Sequence, residues 1–231
     1  MEETAVTLER AETERGELVL RYRRGAGGET IYEIISNGCF LMASTNAISA
    51  EQLAYLTLQA LEGRPALRVL IGGLGIGYTL NAALAHPNVA HVTVVELEPL
   101  VVDWARTHFA TLNGDALRDA RVVVRVGDLM HHLATATERY DAILLDVDNG
   151  PGWLVFEENA ALYTLSSLQR IRQLLTAGGV LGVWSAESVA EFLERLRTVF
   201  VWADETEVQE TDERGSAQAY FIYRARNAAH P

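Results

Sequence analysis

The hydrophobic pattern divides the chain into two stretches with different periods. Near the start the apolar positions alternate. Leu18, Leu20 and Tyr22 share one face of the run Glu17–Arg24, and two further runs cover Thr30–Ile35 and Cys39–Met42. Alternation with period 2 is the signature of half-buried strands. Gly25-Ala-Gly-Gly28 separates the first two runs, and Asn37-Gly38, a strong hairpin dipeptide, separates the second from the third. The pattern predicts a small antiparallel β-hairpin unit over residues 1–48. Met1–Arg15 is charged and lacks apolar periodicity, which predicts a frayed end or a loose helix.

From Ser49 the period changes. Ser49 is placed to cap a helix running to about Leu61, with Gly63 and Pro65 ending it. After Ala66, strands and helices alternate strictly. The expected strands are Leu67–Ile71, His91–Val95, Arg121–Val126, Asp141–Leu145 and Gly179–Trp184. The expected helices are Ile76–Ala85, Pro99–Ala110, Leu129–Thr135, Ala161–Thr176 and Ser188–Val199. In the fourth of these, Leu162, Leu165, Leu168, Ile171 and Leu175 recur at helical spacing, and Ala177-Gly178-Gly179 reads as its C-cap. Two late strands, Val201–Val208 and Gln218–Arg224, suggest an antiparallel edge. Strand–helix alternation implies βαβ units and a parallel sheet. Residues 49–231 therefore read as a Rossmann-like, doubly wound α/β domain of the class I methyltransferase type.

In such a sheet ligands sit beyond the carboxyl ends of the strands, so the residues just past each strand carry the functional reading. The first strand runs into Gly72-Gly73-Leu74-Gly75-Ile76-Gly77 and then into a helix. Glycines let the backbone turn and approach a ligand closely, and the helix N-terminus offers free N–H groups. The spacing from Gly73 to Gly77 is Gly-x-Gly-x-Gly, and Tyr78 stands where a dinucleotide fingerprint has its third glycine. That favours an S-adenosylmethionine-type nucleotide over NAD. The second strand ends in Glu96, at 96 − 77 = 19 residues from Gly77, near the interval of an acid that takes ribose hydroxyls. The third ends in Gly127-Asp128, where the Asp either accepts from the adenine amine or caps the next helix.

The fourth strand delivers Asp146 and Asp148 to the same edge, followed by Asn149, Gly150 and Pro151. Two neighbouring carboxylates repel, and one of them can hold a proton near neutrality. Such a pair suits binding an ammonium group or taking its proton so that the amine can attack. Two other readings stand beside this one: a plain turn at Asp148-Asn149-Gly150, or a metal-binding Asp-x-Asp. No further acid or His cluster nearby supports the metal. Trp153, Phe156 and Tyr163 follow; they either wall a substrate pocket or pack in the core.

Composition narrows the classes. At 231 residues with 49% hydrophobic residues, the chain holds a full core. No apolar run reaches membrane-spanning length. The acidic start does not resemble a secretory n-region, so the expected location is the cytoplasm. The net charge of −12 disfavours nucleic acid as a partner and is compatible with a cationic amine substrate. All 19 basic residues are Arg, which excludes Schiff-base lysine chemistry and a P-loop lysine. Cys39 is the one cysteine, so neither an intramolecular disulfide nor a cysteine zinc cluster can form. The six histidines show no ligand spacing, and no metal is expected. No Gly-x-Ser-x-Gly elbow occurs.

Taken together, the N-terminal β unit, the glycine turn, Val94-Val-Glu-Leu97, Gly127-Asp128 and Tyr140-Asp141 with its strand ending at Asp146 resemble the spermidine synthase family of polyamine aminopropyltransferases. The resemblance extends from about Glu17 to Arg224. It implies an N-terminal β domain on a Rossmann-like catalytic domain, a homodimer, and transfer of an aminopropyl group from decarboxylated S-adenosylmethionine to an amine. It places the ribose-binding acid on Glu96, the adenine contact on Asp128 and the general base on Asp146, with Asp148 assisting. Tyr55, Asn149, Trp153 and Tyr163 become the acceptor-side candidates. The family's turn, Gly-Gly-Gly-Asp-Gly-Gly, contains an acid that Gly72–Gly77 lacks, and Leu74 is read in its place. Asp212–Ser216 occupies the late loop where the family has a polyamine-binding Tyr-Pro-Ser-Gly. Two alternatives follow from these departures: a methyltransferase using intact S-adenosylmethionine, and a nucleotide-binding partner protein that has lost catalysis.

Overall fold

The computed structural model describes residues 5–45, 47–154, 156–211 and 216–229. The chain begins with four strands, β1 (Val6–Thr13), β2 (Gly16–Arg24), β3 (Thr30–Ser36) and β4 (Cys39–Ala43), paired in that order as an antiparallel sheet. Asn37 and Gly38 both take positive φ between β3 and β4, as a two-residue hairpin turn requires. β1 was not expected. Its residues are exposed from Val6 to Arg10, so no apolar face announces it. It is a strand because its backbone pairs with β2 from Val6↔Tyr22 to Thr13↔Gly16. Main-chain pairing alone suffices for such an edge strand, and its charged side chains blunt the open edge.

The remaining elements are α1 (Ala47–Gln59), β5 (Leu67–Gly72), α2 (Tyr78–Ala85), β6 (Val89–Glu96), α3 (Pro99–Arg106), β7 (Val122–Val126), α4 (Leu129–Thr135), β8 (Tyr140–Leu145), α5 (Leu165–Leu174), β9 (Leu175–Ser185), α6 (Ala190–Val199), β10 (Trp202–Thr211) and β11 (Ala217–Arg226). Their strands form one sheet in the order β10-β11-β9-β8-β5-β6-β7. β5 pairs in parallel with both β6 and β8, β6 with β7, and β8 with β9, while β11 runs antiparallel to β9. The strand order reverses at β5, and the crevice beside it is where a doubly wound sheet takes its ligand.

Two helix boundaries differ from expectation. Ser49 lies inside the first turn of α1 rather than capping it. The helix expected over Ala161–Thr176 is a 3-10 segment, Glu157–Tyr163, followed by the shorter α5, with Thr164 as N-cap accepting from the Ser167 amide. Nor do Gly178 and Gly179 cap that helix. They lie within β9, in an irregularity where the pairing jumps from Tyr140↔Leu175 to Ala142↔Val180. Gly178 has φ +68°, and Gly179 passes so near the Asp141 carbonyl that a Cβ would meet it at 3.0 Å. A glycine pair is a bulge signal as much as a helix stop, and the strand won.

Side chains alternate across β9. Leu181 and Val183 join the core built with α4, α5 and α6, including Leu133, Leu168, Ile171, Phe192 and Leu196. Gly182 faces the other way, towards α1: a Cβ there would meet Thr57 Oγ1 at 2.2 Å and Leu53 Cδ1 at 3.1 Å. Helices thus cover both faces of the sheet, and its central strands β5, β6, β8 and β9 are rich in buried apolar residues.

By contacts the chain forms two compact units. One comprises the residues up to Ala47 together with Gln209–Gln218; the other comprises Ile48–Val208 and the segment from Ala219 onward. Asp212–Gly215, part of the late loop singled out above, lie outside the described residues. No helix among the described residues is long and apolar enough to cross a membrane.

Gly182→Ala is expected to destabilise the larger unit by about 1–3 kcal/mol through overpacking against α1, read as a lower midpoint in thermal or chemical unfolding. An unchanged midpoint would contradict the close approach of α1 to β9.

Candidate active site

The carboxyl ends of β5, β6 and β8 are laced together by backbone. The Gly73 amide donates to the Val95 carbonyl at 2.9 Å, and the Asp146 amide donates to the Gly72 carbonyl at 2.9 Å. Gly73 lies so close to β8 that a Cβ would meet the Asp146 carbonyl oxygen at 2.1 Å, and its φ is +86°. Gly72 faces Leu129 instead, whose Cδ2 would lie 2.4 Å from an added Cβ. Gly75 and Gly77 continue the turn at φ +52° and +101°, and Gly77 is the residue from which α2 starts. The expected glycine turn is therefore built as a strand–turn–helix, with Gly72 and Gly73 beside Asp146 and with Gly75 and Gly77 leading on to α2.

Glu96 ends β6 and is 8% exposed. Its Oε2 accepts the Leu74 amide at 2.8 Å and its Oε1 accepts the Glu98 amide at 2.8 Å. Burial pushes the carboxyl above the usual Glu range, and these amides pull it back. A carboxylate offers about four lone-pair directions, and the Leu74 and Glu98 amides take one on each oxygen. In this arrangement Glu96 braces the turn. The Glu96 carbonyl also accepts the Gly127 amide at 2.8 Å, which ties the end of β7 to the same cluster. Asp128 is exposed and caps α4, its Oδ1 accepting the His131 amide at 2.6 Å.

Asp146 and Asp148 have different surroundings. Asp146 accepts a 2.6 Å hydrogen bond from the Thr79 hydroxyl, and burial raises its carboxyl above the usual Asp range. Asp148 sits at φ +60° and spends its oxygens on its own loop. Its Oδ1 accepts the Asn149 amide at 2.8 Å; its Oδ2 accepts the Phe156 amide and the Asn159 Nδ2, both at 3.0 Å. These bonds close the turn after β8 onto the 3-10 segment. Asn149 lies in the same turn, with its carbonyl accepting the Ala186 amide at 3.0 Å.

Tyr163 is 2% exposed and packs edge-to-face on Phe192. Its hydroxyl donates to the Val147 carbonyl at 3.1 Å, so it supports the Asp146–Asp148 turn from beneath. Burial, with Asp148 and Asp146 nearby, holds that hydroxyl protonated well beyond the usual Tyr range. Tyr55 and Trp153 stand on the surface at 56% and 62% exposed, and neither is brought to the Asp146 cluster by a bond seen here. His132 lies beside the Tyr140 hydroxyl at 3.2 Å, at the opposite end of β8. Among the described residues no group of three or more His, Cys, Asp or Glu is placed to hold a metal ion.

Two residues of the site were not read from sequence. Asn113 is fully buried and its Nδ2 donates to the Ile76 carbonyl at 3.0 Å and the Ala105 carbonyl at 2.9 Å, bracing the turn from behind. Nothing local in Thr-Leu-Asn-Gly signals this. Thr79 had a signal: a hydroxyl in the first turn of the helix after the glycines points back towards the strand tips.

Gly73→Ala is expected to cost about 2–4 kcal/mol in denaturant unfolding, from the left-handed backbone and the overlap with Asp146 together. Gly63→Ala, also at positive φ but facing open space, serves as the control and should cost about 1–2 kcal/mol. Equal losses would contradict the close approach of β5 and β8.

Three comparisons with known proteins bear on this site. Residues 48–207 match the family model of the spermine/spermidine synthase domain. Among curated relatives, a polyamine aminopropyltransferase from Korarchaeum cryptofilum is 34% identical over 131 residues, covering 57% of this chain and 38% of the relative. A polyamine aminopropyltransferase from Nitrosomonas europaea is 27% identical over 170 residues, covering 71% and 50% respectively. The chain thus spans half or less of the length of these relatives. Among solved structures, a spermidine synthase in complex with the transition-state analogue AdoDATO superposes with a TM-score of 0.78 at 18% identity, covering 97% of this chain and 75% of that one. The spermidine synthase of Thermotoga maritima gives 0.76 at 17%, covering 97% and 74%. The sheet, its glycine turn and the family match agree, and the chain belongs to the spermine/spermidine synthase family.

Proposed function

We propose that the protein transfers an aminopropyl group from decarboxylated S-adenosylmethionine to a small aliphatic amine, with Asp146 as the general base. One observation carries this reading: a desolvated carboxyl stands at the strand tip beside a glycine turn that opens a helix. The names of the relatives, polyamine aminopropyltransferases, and the bound analogue in a structural neighbour support it.

The chemistry follows from the donor and the carboxyl. The amine nitrogen attacks the aminopropyl carbon bonded to the sulfonium. The carbon–sulfur bond breaks, its electron pair stays on sulfur, and a neutral thioether nucleoside leaves. An alkylammonium has no lone pair to attack with, so a proton must first leave it for Asp146. The site then has to align donor and acceptor in line. In this reading the turn Gly72–Gly77 approaches the donor, Glu96 holds the turn and takes the ribose hydroxyls, and Gly127-Asp128 borders the adenine. Asp148, bound to Asn149, Phe156 and Asn159, acts by shaping the turn that presents Asp146 rather than by taking the proton. A homodimer belongs to the same proposal and is tested by light scattering.

A second reading, methyl transfer from intact S-adenosylmethionine, rests on the turn itself. Gly72–Gly77 contains no carboxylate to hold an aminopropyl ammonium, Leu74 is buried, and Glu96 is already engaged by backbone amides.

Product analysis separates the two. Incubation with a short alkyl diamine and each donor in turn should release the methylthio-nucleoside from the decarboxylated donor. Release of the homocysteine-bearing nucleoside from the intact donor would instead establish methyl transfer. Asp146→Asn is expected to lower kcat by about 10²–10⁴-fold with donor affinity retained. Full activity in that variant would remove Asp146 from the mechanism.

A further inference from the structure

The Thr79 hydroxyl has two partners. It lies 2.6 Å from Asp146 Oδ2 and 3.2 Å from the Ala50 carbonyl oxygen, and Thr79 is 2% exposed. A hydroxyl has one proton to donate and lone pairs to accept with. The shorter contact, to a carboxylate, takes the proton while Asp146 is charged. The Ala50 carbonyl, in the first turns of α1, is then a second acceptor held in reserve. If Asp146 gains a proton, its own O–H can donate to Thr79 Oγ1. The Thr79 proton can then rotate onto Ala50, so no polar group is stranded in either state.

We propose that Thr79 is a positioning residue that partners Asp146 in both protonation states, donating to the carboxylate and, once it is protonated, accepting from it while donating to the Ala50 carbonyl. A general base needs this property, because its charge disappears in the step it performs. A fixed donor such as a backbone amide serves the anion alone and is left facing an O–H afterwards. Here the donor reverses its role by rotating about one bond. The proton count closes: one proton enters Asp146 from the amine, and the Thr79 proton changes acceptor without leaving its oxygen.

The other groups that bear on Asp146 do not compete for this task. Tyr163, facing it from the 3-10 segment, gives its proton to the Val147 carbonyl. Asp148, on the same turn, is turned to Asn149, Phe156 and Asn159. Burial drives the Asp146 carboxyl up and the Thr79 bond draws it down. Removing the hydroxyl therefore leaves burial unopposed.

The proposal rests on Asp146 being the base, and its test has one arm that needs no turnover. In protein labelled with 13C at the Asp carboxyls, the Asp146 signal is identified by its loss in Asp146→Asn, and its titration is followed in the wild type, Thr79→Val and Thr79→Ser. Valine keeps the shape of threonine without the hydroxyl; serine keeps the hydroxyl. Thr79→Val should raise the Asp146 midpoint by about one pH unit, and Thr79→Ser should restore most of it. In the second arm, the acid limb of kcat/KM should move to higher pH by the same amount in Thr79→Val, about a tenfold loss on that limb, and return in Thr79→Ser. An Asp146 titration unchanged in Thr79→Val would overturn the proposal. So would a shift that serine does not reverse. Absence of any aminopropyl transfer in the wild type would count against the proposed function, with the carboxyl titration still deciding whether Thr79 and Asp146 are coupled.

Discussion

The close approach of β5 and β8 at their carboxyl ends is the constraint on which the rest of the site depends. The Asp146 amide donates to the Gly72 carbonyl, and no Cβ fits at Gly73 because the Asp146 carbonyl occupies its place at 2.1 Å. This contact fixes the glycine turn and the strand-tip carboxyl relative to each other before any ligand arrives. Each further element tightens it. Glu96 accepts the Leu74 and Glu98 amides, Asn113 donates to the Ile76 carbonyl, and Tyr163 donates to the Val147 carbonyl. The turn and the Asp146 carboxyl are thus held by several independent parts of the chain, which is how a site is kept preorganised.

Within this frame, polar side chains divide between holding and reacting. Glu96 and Asp148 are rich in backbone amide partners, and such groups serve best as braces. Asp146 has one side-chain hydroxyl partner, and burial raises its carboxyl above the usual Asp range. Burial favours a neutral carboxyl and hydrogen-bond donors favour a charged one, and at Asp146 the Thr79 hydroxyl is the donor that opposes burial. The distinction assigns different work to two acids separated by a single residue. In the sequence pair Asp146-Val-Asp148 the second acid is turned into its own loop.

Much of the architecture was legible because the central strands β5, β6, β8 and β9 are rich in buried apolar residues. The glycine turn, the strand ending at Asp146 and the antiparallel edge strand could all be placed from sequence. What escaped is informative. β1 has no apolar face, and its pairing is a main-chain property that side-chain periodicity does not encode. Gly178 and Gly179 look the same as a helix stop or as a bulge, and the tertiary register of β8 against β9 decides between them. In the site, Glu96 and Asp128 stand at the strand ends as expected, with backbone amides bound to both oxygens of Glu96 and to Oδ1 of Asp128. Tyr163 could be read as pocket wall or core, and it is core that also supports the turn. Thr79 shows the limit most clearly: its role depends on two acceptors from different elements, 67 and 29 residues away in sequence.

The central claim is that this laced cluster forms a donor site for a decarboxylated sulfonium nucleotide. Calorimetric titration of the protein with S-adenosylmethionine and its decarboxylated form, side by side, tests it most directly. Both should bind, the decarboxylated donor more tightly. Binding of neither would contradict the assignment of the glycine turn as a nucleotide site, and tighter binding of the intact donor would contradict aminopropyl transfer.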